Sequence, residues 1–359
     1  MKKPIRIGFI GLNPNAQWAS KAHIPALKLL KDDFAVTGVA NTSYESAQTS
    51  AQTFGIPFAF ENAEALIASE HIDLVVITVK VPYHFKLVKA ALQAGKHVYC
   101  EHPLGNGLAE TVELAELAAS KNVVAVTGLQ MTVSPEVRYM KQLINDGYLG
   151  DVLSTTLIGS GGNWRDETVS ANYYLYDKEN GATMLTIPLG HTLAGLTKVL
   201  GDVDDFSSYF INHFKTVILK DNGEIKPKTA DDQIMMAGTL KSGAAISVHY
   251  RAGMSRGTNL LWEINGTKGD LQITGGIGHG QLTLLTLKGA NGLEKELRIL
   301  TPPEELYAGL PADSVVGNVA RIYAQIASDI QNNTRNAPSF DDGVKLYKLI
   351  DAIEKSAER

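Results

Sequence analysis

Cysteine is almost absent from this chain: Cys100 is the only one among 359 residues. That excludes an internal disulfide framework and a Cys-based zinc site, and it suits a reducing cytosol, so a cytoplasmic location is expected. No basic block stands out either, with 33 Lys and Arg against 38 Asp and Glu for a net charge of −5. This argues against nucleic acid as a partner, because phosphate contacts need clustered cations. No stretch approaches the roughly 20 apolar residues of a membrane span, so no membrane partner is expected. The N-terminal apolar run after Lys2 and Lys3 is interrupted by Arg6, and no small-residue cleavage site follows, as a secretory signal would require. The nine histidines are scattered, with none at i, i+4 spacing beside a carboxylate on a helix, so no metal site is expected. Nucleophile-elbow and Walker-type motifs are missing, as are internal repeats and low-complexity linkers.

What is present is apolar material for stable cores: 44% hydrophobic and 20% charged residues, in a chain long enough for about two domains. The first 125 or so residues alternate short β-branched runs (5–10, 36–40, 74–79, 98–100, 123–127) with stretches of helical spacing (46–54, 84–94, 108–120). Such alternation predicts an α/β fold, a doubly wound parallel sheet of the Rossmann kind, with ligands at the carboxyl ends of the strands. The pattern changes near Gly147-Tyr148-Leu149-Gly150-Asp151. Longer alternating runs follow (152–158, 233–240, 244–250, 260–265, 271–274, 282–287), separated by turns such as Lys241-Ser242-Gly243 and Gly266-Thr267-Lys268-Gly269. Helical patterns return at 183–200, 315–331 and 343–354. The expectation is a nucleotide-binding domain over residues 1–128 and an α+β domain over 129–359 with a large open, mainly antiparallel sheet. The closing helices are candidates to pack back on the first domain.

Directly after the first apolar run stands Gly8-Phe9-Ile10-Gly11-Leu12-Asn13-Pro14-Asn15-Ala16. A dinucleotide fingerprint needs a tight glycine turn, a second glycine for pyrophosphate approach and a small residue for helix packing. Gly11 and Ala16 fit the outer positions; Asn13 takes the middle one and tolerates left-handed backbone angles. Leu12 and Asn15 complete the candidate loop. The second strand ends in Asn41-Thr42-Ser43 without the acidic residue that grips adenine-ribose hydroxyls, which favours NADP over NAD. Further strand ends place Thr78, Val79, Lys80, Val81 and His84, then Glu101, His102 and Pro103, then Gln130 at the expected binding edge. Lys80 is an ionisable group straight after a buried run, and His102 has an intrinsic pKa suited to acid–base work. For His84, at a helix start, packing or capping competes with ligand contact. Beyond residue 150, Tyr173, Tyr174 and Tyr176 offer an apolar wall with hydroxyl tips beside Lys178. Trp164 and Arg165 offer a stacking surface and a charge, and His191 lies in an apolar helical stretch next to Gly190.

Taken in order, these short motifs resemble the Gfo/Idh/MocA family of oxidoreductases over essentially the whole chain, and within it the Gal80-like branch. The resemblance rests on Gly11-Leu12-Asn13, the Glu101-His102-Pro103 strand end, Leu129-Gln130 with Ser134-Pro135, Gly147 to Asp151, Gly190-His191-Thr192 and Gly266 to Asp270. It implies a nicotinamide against Glu101 and Pro103, a sugar-like substrate, and His191 in the place of the family's catalytic histidine. Relatives carry a lysine where His102 stands, and aspartates where Ile187 and Ala194 stand. Two readings follow. In the favoured one, His191 or His102 takes a hydroxyl proton during hydride transfer and Lys80 supplies the missing positive charge. In the other, the protein is a non-catalytic NAD(P)-binding regulator acting through a protein partner. A homo-oligomer, dimer or tetramer, is expected through the second domain's sheet. Residues 234–237 and 260–262 are read as apolar on both faces there, so Trp262→Glu should yield a monomer.

Overall fold

The structure, a computed structural model, describes residues 3–15 and 18–358. Two compact units emerge: Met1–Leu129 with Val315–Tyr347, and Gln130–Ser314 with Lys348–Arg359.

In the first unit, β1 (Ile5–Ile10), β2 (Phe34–Ala40), β3 (Phe58–Ala59), β4 (Leu74–Ile77), β5 (His97–Glu101) and β6 (Ala125–Gly128) form one sheet. Its order is β3-β2-β1-β4-β5-β6, and every pairing is parallel. Helices α1 (Ile24–Leu29), α2 (Tyr44–Phe54), α3 (Ala63–Ala68), α4 (His84–Gln93) and α5 (Leu108–Ala119) connect the strands. All four side chains of β4, Leu74 to Ile77, are fully buried. A strand covered on both faces needs such an unbroken apolar run, and each side chain contributes about 1.5–3 kcal/mol by leaving water. β3 and α3 are too short to give a readable period, and the sequence reading missed both.

The second unit starts at a tight turn, Gln130–Val133, and α6 (Pro135–Asn145). Its strands are β7 (Val152–Ser160), β8 (Glu167–Thr168), β9 (Val203–Ile211), β10 (Thr216–Leu219), β11 (Ile225–Pro227), β12 (Gln233–Leu240), β13 (Ala245–Arg251), β14 (Leu260–Gly266), β15 (Gly269–Gly275), β16 (Thr286–Asn291) and β17 (Arg298–Ile299). Eight of them make a sheet ordered β17-β16-β15-β14-β7-β13-β12-β9, antiparallel throughout except where β7 runs parallel to β13. The remaining three form a small sheet, β11-β10-β8. α7 (Gly190–Leu200) precedes β9, and α8 (Glu304–Tyr307) follows β17. α9 (Val316–Asn332) returns to the first unit, and α10 (Phe340–Ala357) is shared, passing from first to second after Tyr347.

Two sequence expectations need correction here. The strand read at 282–287 begins at Thr286 instead. The glycine-rich loop before it is pressed against β7, where a Cβ on Gly278 would lie 2.4 Å from the Ser160 nitrogen. Trp262 does not mark an outer apolar face: it is fully buried, and its Nε1–H donates to Thr155 Oγ1 at 3.0 Å. Strand alternation puts Leu260, Trp262 and Ile264 on the core side of β14, and Leu261 and Glu263 on the other.

Candidate functional site

The loop after β1 is built for close approach. Gly11 has φ of +100°, and a Cβ there would sit 2.6 Å from Val79 Cγ1. Such a position takes glycine alone without displacing the strand-end loop of β4. Leu12 is buried beneath it, and Asn13 Oδ1 accepts the Asn15 N–H at 2.9 Å, an Asx turn that shapes the loop. Ala16 lies outside the described residues. Across from Asn13 and Asn15, the first turns of α2 close a cavity of about 500 Å³ with Ser43, Glu45 and Ser46 among its walls.

Asn41 is tied into the loop that follows β1. Its Nδ2 lies 2.8 Å from Leu12 O, 3.2 Å from Ser46 O and 3.0 Å from Ser50 Oγ. The amide thus staples the loop to α2. Thr42 is exposed, and Ser43 caps α2 by accepting the Ser46 N–H. Glu45, which sequence reasoning passed over, is the charged group that reaches this cavity.

At the ends of β4 and β5 the candidate residues divide between display and support. Thr78 Oγ1 donates toward Ile10 O and Gly11 O, tying β4 to the loop. Lys80 is exposed, ahead of the tight turn Val81–Tyr83. His84 takes the packing role that was weighed against ligand contact. Its Nδ1 lies 2.7 Å from Pro103 O and its Nε2 2.8 Å from Val79 O, so the ring clips two strand-end loops together. A neutral ring donates to only one of them, and burial pushes its pKa below the usual histidine value. Glu101, His102 and Pro103 are all buried. The His102 ring lies 6.3 Å from that of Tyr347, whose hydroxyl donates to Gly105 O at 2.8 Å. Burial raises the Cys100 thiol well above its ordinary pKa, which leaves it an inert packing group.

Behind Glu101 stands a residue that sequence reasoning did not reach. His23 closes a single π-helical turn, Ala19–His23, right after the glycine loop, and its Nε2 lies 2.9 Å from Glu101 Oε1. Its Nδ1 lies 2.8 Å from the hydroxyl of Tyr323 on α9. The only sequence signal was a histidine between Ala22 and Ile24 on an apolar helix face.

In the second unit, another π-helical turn, Leu185–Leu189, leads into α7 and delivers His191, 3% exposed, in the helix's first turn. Such turns recur at functional sites because they rotate the helix face. Thr192 Oγ1 contacts the Tyr250 hydroxyl at 2.6 Å, and that hydroxyl donates to Gly278 O at 2.9 Å. The Tyr250 ring fits only because residue 159 is glycine: a Cβ there would lie 2.1 Å from the ring. Met131, beside the buried Gln130, packs on Gly195 of α7.

Trp164 also departs from expectation. It holds φ of +68°, its N–H bonds Tyr176 Oη, its Nε1–H bonds Leu175 O, and its ring stacks on His279. The indole is spoken for internally and offers no open stacking face. The Tyr173 and Tyr176 hydroxyls are likewise bonded to the backbone oxygens of Pro227 and Glu167. Arg165 is exposed beside Asp166, Tyr174 is half-buried with its pKa raised by burial, and Lys178 is exposed. Among the described residues no group of three or more His, Cys, Asp or Glu is placed to hold a metal ion, and no helix is long and apolar enough to cross a membrane.

Comparison with known proteins agrees with this anatomy. Residues 5–129 match the oxidoreductase family model with an NAD-binding Rossmann fold, and residues 135–275 match the Gal80p C-terminal domain model. The galactose/lactose metabolism regulatory protein GAL80 of Saccharomyces cerevisiae is 28% identical over 98% of this chain and 92% of its own length. The dehydrogenase aclE of Aspergillus oryzae is also 28% identical, over 100% of this chain and 97% of its own. The crystal structure of a Gal80p super-repressor mutant from S. cerevisiae superposes with a TM-score of 0.89 at 27% identity, covering 99% of this chain and 96% of that one. A levoglucosan dehydrogenase in complex with NADH shares the fold, with a TM-score of 0.85 at 21% identity, covering 99% and 97%. The chain thus joins an NAD-binding Rossmann domain of the oxidoreductase family GFO_IDH_MocA to a C-terminal domain of the Gal80p type.

Proposed function

We propose that the protein is an NAD(P)-dependent oxidoreductase acting on a carbinol or carbonyl carbon of a sugar-like small molecule. The observation that carries this is the glycine cradle at Gly11 beside the anchored Glu101-His102-Pro103 strand end, a fit for a dinucleotide and its nicotinamide end. Residues 1–128, joined by the returning segment Val315–Tyr347, serve as the nucleotide-binding domain, and the rest of 129–359 as the substrate and oligomerisation domain. Leu12, Asn13 and Asn15 line the pyrophosphate path, Thr42 and Ser43 the adenosine end, and Thr78, Val79, Lys80 and Val81 the approach to Glu101, His102 and Pro103, with Gln130 beyond. NADP is the favoured form, because β2 ends without a carboxylate, although Glu45 at the cavity narrows its margin over NAD.

When bound, the cofactor supplies or accepts the hydride. His191 holds the substrate hydroxyl and takes its proton, with His102 as the second acid–base group. Lys80 provides the positive charge that stabilises the developing alkoxide. Arg165, Tyr174 and Lys178 orient the remaining hydroxyls. The decisive measurement is absorbance at the reduced-nicotinamide band, with NADP and NAD against pooled aldoses, polyols and keto-sugars in both directions. His191→Ala should lower turnover by about 10²–10⁴-fold. Turnover kept by that variant moves the proton role to His102 or Lys80.

A second reading is favoured by the GAL80 likeness together with His102, Ile187 and Ala194 where relatives carry lysine and aspartates. In it the protein is a cofactor-binding regulator that acts through a protein partner. Tight NADP binding with no turnover on any pool would establish that reading in place of the first. Both are compatible with a homo-oligomer through the open face of the eight-stranded sheet and with a cytoplasmic protein whose lone cysteine is buried.

A further inference from the structure

The group formed by His23, Tyr323 and Glu101 has a polarity that its chemistry dictates. An ionised Glu101 carboxylate only accepts, so His23 Nε2 carries the proton in that 2.9 Å contact. In the neutral ring Nδ1 is then the lone-pair nitrogen, and the Tyr323 hydroxyl, 2.8 Å away, donates to it. The chain reads Tyr323 O–H to Nδ1, then Nε2–H to the carboxylate. His23 and Tyr323 are fully inaccessible to solvent, and Glu101 is 8% exposed. Phe9, Trp18 and Tyr99 ring the imidazole at centroid distances of 5.9, 6.2 and 5.2 Å. In such an apolar surround a hydrogen bond is strengthened and an unmade one is costly. Burial and the Glu101 charge raise the Tyr323 pKa well above normal, so its hydroxyl stays a donor at any physiological pH.

We propose that Tyr323 and His23 are positioning residues which, through this one-directional relay, hold the Glu101 carboxylate in a single rotamer at the end of β5, and so set the protein's preference between oxidised and reduced nicotinamide cofactor. This rests on the reading that Glu101 borders the nicotinamide. A fixed negative charge there favours the cationic oxidised ring over the neutral reduced one. The His23–Tyr323 hydrogen bond spans 300 positions, and the π-helical turn is what aims His23 at Glu101 while the glycine loop keeps its course. A purely structural role would have no reason to treat the two redox forms differently.

The test is Tyr323→Phe in the full-length protein, a change that touches neither Glu101 nor the glycine loop. Dissociation constants for oxidised and reduced NADP are measured by calorimetry and by nucleotide fluorescence. The relay predicts that the ratio of the oxidised to the reduced constant rises by about tenfold, equivalent to about 1.4 kcal/mol, with the reduced constant little changed. Both forms weakening by the same factor would reduce the pair to a packing contact and overturn the proposal alone. A wild type that binds neither form would bring down the cofactor reading and this inference with it. Two-bond proton–nitrogen NMR on 15N-histidine protein, assigned with His23→Gln, should show the Nε2–H tautomer; an Nδ1–H tautomer overturns the relay whatever the binding data.

Discussion

At the residue scale, several side chains that look displayed in the sequence turn out to be fasteners. His84 is the clearest, with both ring nitrogens against carbonyl oxygens and a pKa pushed down by burial; His279 is buried with the same direction of shift. The consequence for stability has a definite sign. Below the ordinary histidine pKa of about 6.5 the unfolded chain takes up protons that these folded histidines refuse, so stability is full above that pH and falls as pH drops below it. Each such group adds a slope of at most about 1.4 kcal/mol per pH unit. Urea midpoints at pH 7.5 and 5.5 should differ accordingly, and His84→Gln should flatten the difference; an equal drop in the variant would refute the assignment. The candidate positions themselves, Gly11, Glu101, His102 and His191, could be read from local motifs. The partners of His84 and His23 could not, because the carbonyls of Val79 and Pro103 carry no sequence signature and Tyr323 lies 300 positions from His23.

Elements show the same division between what periodicity announces and what packing decides. The β4 run and the Lys241-Ser242-Gly243 and Gly266-to-Gly269 turns are legible because burial on two faces and tight reversals restrict residue type. The two π-helical turns, at Ala19–His23 and Leu185–Leu189, were not, since one extra residue per turn leaves no mark on a hydrophobic pattern. What holds α7 is a long-range fit: Gly159 of β7 leaves room for Tyr250 of β13, whose hydroxyl meets Thr192 next to His191. Gly159→Ala should therefore cost about 1–3 kcal/mol through overpacking and lower any turnover along with stability, because it displaces the helix that carries His191. Thermal melts check the first part. A variant as stable as wild type, with unchanged kinetics, would show that Tyr250 can move aside freely.

Over the whole molecule, the alternating runs of the first third and the longer runs beyond residue 150 made the class of each sheet readable, including the mainly antiparallel second one. The sequence could not say which face of that sheet is covered, and Trp262 was assigned to the wrong side for that reason. With register in hand, the open face carries a row formed by Tyr209, Met235, His249, Ile158, Leu261 and Thr274 across β9, β12, β13, β7, β14 and β15. Ile158 and Leu261 sit opposite each other at its centre. If the protein self-associates there, light scattering should give a multiple of 38.7 kDa for wild type and a single 38.7 kDa species for Leu261→Glu. A wild type already at the lower mass would remove the interface from consideration.

The return of α9 to the first unit has a consequence for how the protein is made. A ribosome adding about 5–20 residues per second reaches Tyr323 roughly 15–60 s after it has released His23. Throughout that interval the nascent Rossmann sheet lacks the helix whose Tyr323 hydroxyl completes the hydrogen-bonded chain through His23 to Glu101. The nucleotide-binding unit, begun before the second, is closed only after Gln130–Ser314 of the second has been made.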